Sequence, residues 1–118
     1  MALVDDEAPV RRALGRLLRA TGHEVLSFAS AQEFLDSLDL RRPHCVLLDI
    51  QMPGLNGLQV RDRLKEVQPT LPVVFITGSD DPELARRALS GGAIGLLHKP
   101  FSRQMLLDAV ASALLPRP

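Results

Sequence analysis

Short apolar runs alternate along the chain with longer segments in which apolar residues recur every three or four positions. The short runs are typical of β-strands, and they lie at residues 2–4, 25–28, 45–48, 73–76 and 94–97. The longer segments predict amphipathic helices with one buried face. In the first of them, that face consists of Val10, Ala13, Leu14, Leu17 and Leu18. Similar spacing predicts four more helices, each following one of the remaining strands.

Residues with known capping preferences mark several helix boundaries. Pro9 suits the first turn of the first helix, and Gly22 suits its exit. Ser30 is a candidate N-cap of the second helix, with Glu33 completing a capping box. Ser102 is a candidate N-cap of the last helix. Strands and helices that alternate in this way predict an α/β fold, a doubly wound five-stranded parallel sheet with helices on both faces.

Length and composition fit one small domain and exclude several functional classes. The chain has 118 residues, of which 46% are hydrophobic and 24% are charged. Fourteen basic residues balance fourteen acidic ones, so we expect no direct nucleic-acid binding. No apolar run is long enough to span a membrane. The single cysteine, Cys45, excludes an internal disulfide.

Polar residues follow four of the predicted strands. Asp5 and Asp6 follow the first strand, Asp49 the third, Thr77 the fourth and Lys99 the fifth. The carboxyl ends of parallel strands lie at one edge of a sheet, and ligands bind there. The positions therefore predict that these side chains meet at one site.

The three carboxylates at this edge suggest a metal site. Their mutual repulsion would be relieved by a hard divalent cation, and oxygen ligands suit Mg²⁺. For Asp5 and Asp6 the alternative is that they cap the first helix. Asp49 ends an apolar strand and is followed by Ile50, so no helix begins there that it could cap.

The same edge offers the groups needed for phosphoryl chemistry. An aspartate such as Asp49 can act as a nucleophile and form an aspartyl phosphate. Lys99 can hold a phosphoryl oxygen as a point charge, and Thr77 can hydrogen-bond the same group. A structural salt bridge to Asp49 is the alternative for Lys99, and a plain strand-end hydroxyl is the alternative for Thr77.

Four motifs in order resemble the receiver domain of two-component response regulators. They are LVDDE at residues 3–7, LLDIQMPGLNG at 47–57, FITG at 75–78 and HKPF at 98–101. The segment around Asp49 is most similar to receivers of the nitrogen-fixation regulator type, which are usually joined to a C-terminal helix-turn-helix domain. The resemblance implies a flavodoxin-like sheet in the order 2-1-3-4-5. It implies a receiver domain over residues 1–115, with 116–118 as the start of a linker or a point of truncation.

The resemblance also assigns roles to the site residues. Asp49 would accept a phosphoryl group from a phosphohistidine of a sensor histidine kinase. Asp6 would bind Mg²⁺ directly, Asp5 mainly through water, and Asp49 and the backbone carbonyl of Gln51 would complete the protein ligands. The side chains of Gln51 and Ser79 sit where the rate of dephosphorylation is commonly tuned.

Two further assignments concern the phosphoryl oxygens and the output. Thr77 and Lys99 would contact those oxygens, and Lys99–Pro100 would be a cis peptide. The family's aromatic switch position is occupied by Leu96 here, so the output would travel through the backbone after Thr77 and the fourth helix. Apart from the resemblance, Leu96, Leu107 and Leu115 are expected to be partly exposed on the side formed by the fourth helix, fifth strand and fifth helix. They are candidate members of a homodimer surface formed after phosphorylation, and ordinary packing is the alternative.

The resulting prediction is a cytoplasmic, phosphorylation-activated switch that regulates transcription and is not a conventional enzyme. A phosphatase of the haloacid dehalogenase class is an alternative, but its Asp-x-Asp pattern after the first strand is absent because position 7 is Glu. A non-phosphorylated interaction module is a second alternative. A flavodoxin-like cofactor protein is a third, although no phosphate loop rich in Ser, Thr and Gly follows the first strand.

Overall fold

A computed structural model describes residues 1–115, and residues 116–118, predicted as a linker start or truncation point, lie outside the described part. Five strands alternate with five helices. In chain order they are β1 (Ala2–Val4), α1 (Ala8–Ala20), β2 (Leu26–Phe28), α2 (Ala31–Ser37), β3 (Val46–Asp49), α3 (Gly57–Val67), β4 (Val73–Thr77), α4 (Pro82–Ser90), β5 (Gly95–His98) and α5 (Arg103–Leu114). None of these helices is long and apolar enough to cross a membrane.

The five strands form one parallel sheet in the order β2-β1-β3-β4-β5, which confirms the predicted topology. β1 lies between β2 and β3, and Val4 is aligned with Phe28 on one side and Leu48 on the other. This register brings Asp5 beside Asp49, because each follows an aligned residue. Both polar residues therefore lie at the carboxyl edge of the sheet.

Alternate residues of the central strands enter two hydrophobic cores, one on each face of the sheet. Val4, Leu48 and Phe75 pack with residues of α2 and α3 on one face. The opposite face is covered by α1 and α5, whose buried residues pack against Leu3, Leu47, Val74 and Ile76. Burial on both sides explains why the central strands are continuous apolar runs rather than alternating ones.

Side chains cap the N-termini of four helices, α2, α3, α4 and α5, with one difference from the prediction. The Ser30 hydroxyl accepts from the Glu33 N–H and the Ser102 hydroxyl from the Met105 N–H, as expected. The predicted capping box at α2 is only half formed. The Glu33 carboxylate accepts from the N–H of Ala29 at 3.2 Å instead of that of Ser30. A complete capping box occurs at α3 and is formed by Asn56 and Gln59.

Several element ends and faces also differ from the pattern of apolar residues. β3 extends to Asp49 and β5 to His98, since backbone pairing continues from Ile50 N–H to Ile76 and from Lys99 N–H to Thr77. Ala13, expected on the buried face of α1, is exposed. Leu89 on α4 is 51% exposed, and Ala88 is the one residue of that helix that is buried.

Candidate functional site

Four carboxylates meet at the carboxyl edge of the sheet, and we call Asp5, Asp6, Glu7 and Asp49 the acidic cluster. One oxygen of each lies within 4.8 Å of one oxygen of every other. Asp5 and Asp49 are 0% and 2% exposed, whereas Asp6 and Glu7 are exposed. The cluster forms because β1 and β3 are hydrogen-bonded neighbours. Sequence reasoning placed Asp5, Asp6 and Asp49 here but did not assign Glu7 to the site.

The ammonium of Lys99 faces the acidic cluster and is shared by three of its members. Its Nζ lies 3.3 Å from Glu7 Oε1, 3.5 Å from Asp5 Oδ2 and 3.8 Å from Asp49 Oδ2. The lysine side chain is 23% exposed, so it borders the solvent. Such divided contacts differ from a closed Lys99–Asp49 pair, because no single carboxylate holds the ammonium.

Helix capping does not account for the acidic residues after β1. Asp5 Oδ1 accepts from the N–H of Glu7 at 2.9 Å. Glu7 precedes Ala8, the first residue of α1, so this bond does not satisfy an N–H of the helix itself. The N-cap of α1 is Glu7, and its side chain makes no capping hydrogen bond. Another role is therefore needed for the buried carboxylate of Asp5.

Two buried carboxylate oxygens lack a hydrogen-bond donor among the described residues. They are Asp49 Oδ1 and Asp5 Oδ2, the second of which has the Lys99 ammonium as an ion-pair partner 3.5 Å away but not as a hydrogen-bond donor. A buried acceptor without a donor is costly, and most buried polar atoms are paired. An oxygen-only set of ligands with unfilled acceptors fits a hard divalent cation such as Mg²⁺.

Burial and neighbouring charges act on the two central ionisable groups. Burial, the largest cause, and the charge of Asp5 together raise the pKa of Asp49 to about 7, because the nearby Lys99 only partly offsets them. For Lys99, burial lowers the pKa, but the attraction of Asp49, Asp5 and Glu7 outweighs it and the net shift is upward. Without another cation, Asp49 is therefore partly protonated near neutral pH.

Thr77 lies at the end of β4, and its hydroxyl is engaged on both sides. It is 1% exposed. Its O–H donates to Gln51 Oε1 at 2.9 Å, and its oxygen accepts from the N–H of Ser79 at 3.0 Å. The sequence placed Thr77 and Gln51 at this edge but did not indicate that their side chains bond to each other. The Lys99–Pro100 peptide is cis, as expected.

An open cavity of about 330 Å³ lies above these groups. Larger cavities occur away from the site, including one of about 590 Å³ that Met1, Leu26 and His44 help to line. The smaller one matters here because polar and charged residues of the site line it: Glu7, Asp49, Gln51, Gly78, Ser79 and Lys99. A small anion could approach Asp49 and Lys99 through this opening.

The chain matches the family described as "Response regulator receiver domain" over residues 1–111. The chain is a response regulator receiver domain. Nodulation protein W of Bradyrhizobium diazoefficiens is 42% identical over 111 residues, which cover 94% of this chain and 49% of that protein. The transcriptional regulatory protein FixJ of the same organism is 38% identical over 95% of this chain and 55% of that protein. The receiver domain is thus of the nitrogen-fixation regulator type.

Solved receiver structures share the fold closely. The receiver domain of NtrX from Brucella abortus superposes with a TM-score of 0.90 at 36% identity, covering 96% of both chains. The beryllofluoride-activated DrrB receiver domain superposes with a TM-score of 0.85 at 29% identity, covering 96% of this chain and 94% of that one. This receiver chain spans about half the length of several curated relatives.

Receiver domains are signalling domains controlled by phosphorylation, and membership of this family favours that role over a cofactor-binding flavodoxin or a phosphatase of another class.

Leu96 and Leu107 are half-buried, and Leu115 is 63% exposed. The partial exposure expected for these three leucines is therefore present.

Proposed function

We propose that Asp49 is the phosphoacceptor of this receiver domain and that Mg²⁺ assists the transfer. The observation that carries the proposal is the buried carboxylate of Asp49, which has one oxygen without a donor and borders an open cavity. Asp5, Asp6 and the ammonium of Lys99 all lie close to it. The site thus combines a nucleophile, cation ligands and a fixed positive charge.

In the proposed transfer, an oxygen of Asp49 attacks phosphorus and forms an acyl phosphate. The P–N bond of a kinase phosphohistidine breaks, and its electron pair leaves with the imidazole; with acetyl phosphate, the P–O bond breaks and acetate leaves. Lys99 balances charge on the phosphoryl oxygens. Thr77 donates its hydroxyl hydrogen to one of them.

Asp5, Asp6, Asp49 and the backbone carbonyl of Gln51 would hold Mg²⁺. When bound, the ion offsets the repulsion within the acidic cluster and neutralises charge on the phosphoryl group. It would also favour the ionised, nucleophilic form of Asp49, whose pKa burial raises to about 7.

The same proposal covers partners and output. A sensor histidine kinase would supply the phosphoryl group in the cytoplasm, and residues 1–115 would form the receiver domain, with a linker starting at 116. Relatives about twice as long, named as transcriptional regulators, support a C-terminal DNA-binding domain and control of transcription. The exposed apolar side chains of Leu89, Met105 and Leu115 support a homodimer surface on α4, β5 and α5 after phosphorylation.

We further propose that the only chemistry of the domain is phosphorylation and dephosphorylation of its own Asp49. Phosphatase activity towards external substrates is the competing function. Multiple turnover of a small phosphomonoester by the purified chain would favour it. A single acyl phosphate per chain, without such turnover, supports the receiver role.

Intact-protein mass spectrometry tests the assignment directly. Acetyl phosphate with Mg²⁺ should add one phosphoryl group to the wild-type chain and none to Asp49→Asn. Asp39→Asn, an exposed aspartate outside the acidic cluster, serves as the matched control and should be labelled like the wild type. Equal labelling of Asp49→Asn would refute the assignment, and labelling that is unchanged by EDTA would refute the role of Mg²⁺.

A further inference from the structure

The side chain of Gln51 holds the hydroxyl of Thr77 directly. Gln51 Oε1 accepts from Thr77 Oγ1–H at 2.9 Å and also lies 3.4 Å from the N–H of Gly78. The two residues belong to neighbouring segments of the site: Gln51 lies two residues after the end of β3 at Asp49, and Thr77 is the last residue of β4. A side-chain bond therefore connects the phosphoacceptor loop with the end of the neighbouring strand.

This bond uses the only hydrogen that the Thr77 hydroxyl can donate. A hydroxyl has one O–H and two acceptor lone pairs. One lone pair of Thr77 already accepts from the Ser79 N–H. Thr77 cannot donate to a phosphoryl oxygen on Asp49 while the same hydrogen is bonded to Gln51.

We propose that Gln51 is a positioning residue that competes with the phosphoryl group for the hydroxyl of Thr77. In the resting domain Gln51 keeps that hydroxyl, and a phosphoryl group on Asp49 must displace it. The side chain of Gln51 thereby weakens the binding of a phosphoryl group or its mimic. This inference rests on the proposed role of Asp49 and concerns the side chain of Gln51, which is separate from its backbone carbonyl.

The same contact extends beyond the site through a short series of hydrogen bonds. Thr77 accepts from the N–H of Ser79, and the Ser79 hydroxyl accepts from the N–H of Asp81. Asp81 is the N-cap of α4. Release of Thr77 from Gln51 therefore changes the first link of a series that ends at this helix.

A double-mutant cycle between Gln51 and Thr77 tests the proposal. Gln51→Met keeps the length of the side chain but removes its amide acceptor, and Thr77→Val removes the hydroxyl while keeping its shape. Affinity for beryllofluoride in the presence of Mg²⁺ is measured by ¹⁹F NMR in all four proteins. Gln104→Met, which alters an exposed glutamine on α5, is the control for the substitution itself.

Gln51→Met should bind beryllofluoride about fivefold more tightly than the wild type, the value of one net hydrogen bond of ~1 kcal/mol. In the Thr77→Val background the same change should alter affinity by less than about twofold. Gln104→Met should match the wild type. The ¹³C-methyl resonance of Thr77 in unliganded Gln51→Met should also shift towards its position in the beryllofluoride-bound wild type.

Other outcomes separate this inference from the proposed function. An equal gain from Gln51→Met in both backgrounds would show that Gln51 acts directly on the ligand and would overturn the competition. A loss of beryllofluoride affinity when Gln51→Met is made in the protein that keeps Thr77 would also overturn the competition. Wild-type protein that fails to bind beryllofluoride at all would overturn the phosphoacceptor assignment and this inference with it.

Discussion

The chain buries charge in two places, and they are built in opposite ways. At the carboxyl edge of the sheet, Asp5 and Asp49 are almost fully buried beside other carboxylates. On the core face formed by α3 and α4, Arg61 is 9% exposed and stacks 5.3 Å above the centre of the Phe75 ring. Its Nη1 donates to the carbonyls of Ala88 at 2.7 Å and Arg87 at 3.2 Å.

The partners of the two centres explain the difference. Arg61 binds neutral carbonyls at the C-terminal end of α4, where the helix dipole favours a cation. Asp5 and Asp49 face each other, and each keeps one oxygen without a donor among the described residues. Arg61 Nε also lacks a hydrogen-bond partner among the described residues, so the two centres differ in their neighbours and in their access. Arg61 faces neutral carbonyls beneath a helix and serves the fold, whereas the carboxylates face one another beside an open cavity and are suited to bind a ligand.

The largest expected effect is a pH dependence of the free energy of unfolding that arises from Asp49 in the acidic cluster. Burial and Asp5 raise the pKa of Asp49 to about 7, above the value of ~3.9 for an unfolded aspartate. The folded state thus holds this proton more tightly, and its stabilising contribution is complete below pH ~4 and lost as pH rises to about 7. In EDTA, the free energy of unfolding should therefore fall by an amount on the order of 4 kcal/mol over this pH range. Asp49→Asn should remove this pH dependence.

Urea unfolding at a series of pH values in EDTA measures this contribution as the difference between wild type and Asp49→Asn. Addition of Mg²⁺ should reduce the dependence in the wild type, because the ion binds the ionised form. Parallel pH curves for the two proteins would contradict the raised pKa of Asp49.

Loss of the guanidinium of Arg61 should have the next largest effect. Arg61→Met removes the guanidinium donor from two α4 carbonyls, of which only that of Arg87 keeps another donor among the described residues, the Ser90 hydroxyl, and should lower the free energy of unfolding by about 3 kcal/mol. Arg63→Met, an exposed arginine on the same helix, should change it by less than about 0.5 kcal/mol. Chemical denaturation compares the two variants, and equal effects would show that Arg61 does not anchor α4.

A second substitution sharpens the test of Arg61. A Cβ atom on Gly91 would lie 2.2 Å from Arg61 Cζ, so Gly91→Ala forces the guanidinium to move. Gly91→Ala should destabilise the wild type and cost much less in the Arg61→Met background. An unchanged cost in that background would point to the backbone of Gly91 rather than the contact.

Substitutions in the two centres should also differ in their effect on Mg²⁺ affinity, and this difference should be smaller than the effects on stability. Asp6→Asn removes one charged ligand at the exposed side of the acidic cluster and should weaken Mg²⁺ binding about tenfold. Asp39→Asn and Arg61→Met should stay within about twofold of the wild type, since both lie outside the cluster. Isothermal titration calorimetry measures all four affinities, and equal affinity of Asp6→Asn and wild type would exclude Asp6 as a ligand.

The smallest effect is expected for an exposed ion pair. Arg86 and Glu83 pair on the surface of α4, and the arginine lowers the pKa of that glutamate. Solvent screens such pairs, so Arg86→Gln should change the melting temperature by no more than about 2 °C. Calorimetry in low and high salt checks this, and a large drop would place α4 under stronger electrostatic control than its exposure indicates.

The sequence was sufficient to predict the strand order and the meeting of Asp5, Asp6 and Asp49, because a resemblance and a simple rule about strand ends carried that information. The role of Arg61 was not predicted. A signal for it existed, since Arg61 lies midway between Leu58 and Leu64 at a spacing of three, which places it on the buried stripe of α3.

Other features depended on loop geometry that no spacing rule specifies. The bond between Gln51 and Thr77 requires two loops from different strands to approach within hydrogen-bond distance. The share of Glu7 in the site depends on the path of the chain between β1 and α1. Capping at α2 shifted by one residue, because Glu33 reaches the N–H of Ala29 rather than that of Ser30.

Helix α4 is fastened unequally at its two ends. Its last turn is held by two hydrogen bonds from the guanidinium of Arg61, while its first turn packs Leu84 against the core and is joined to the site by the series of hydrogen bonds that begins at Gln51. Nine residues make a rod of roughly 13 Å. Because the charged anchor lies at the last turn, we expect a change in the hydrogen bonding of the Thr77 hydroxyl to alter the orientation of the first turn more than that of the last.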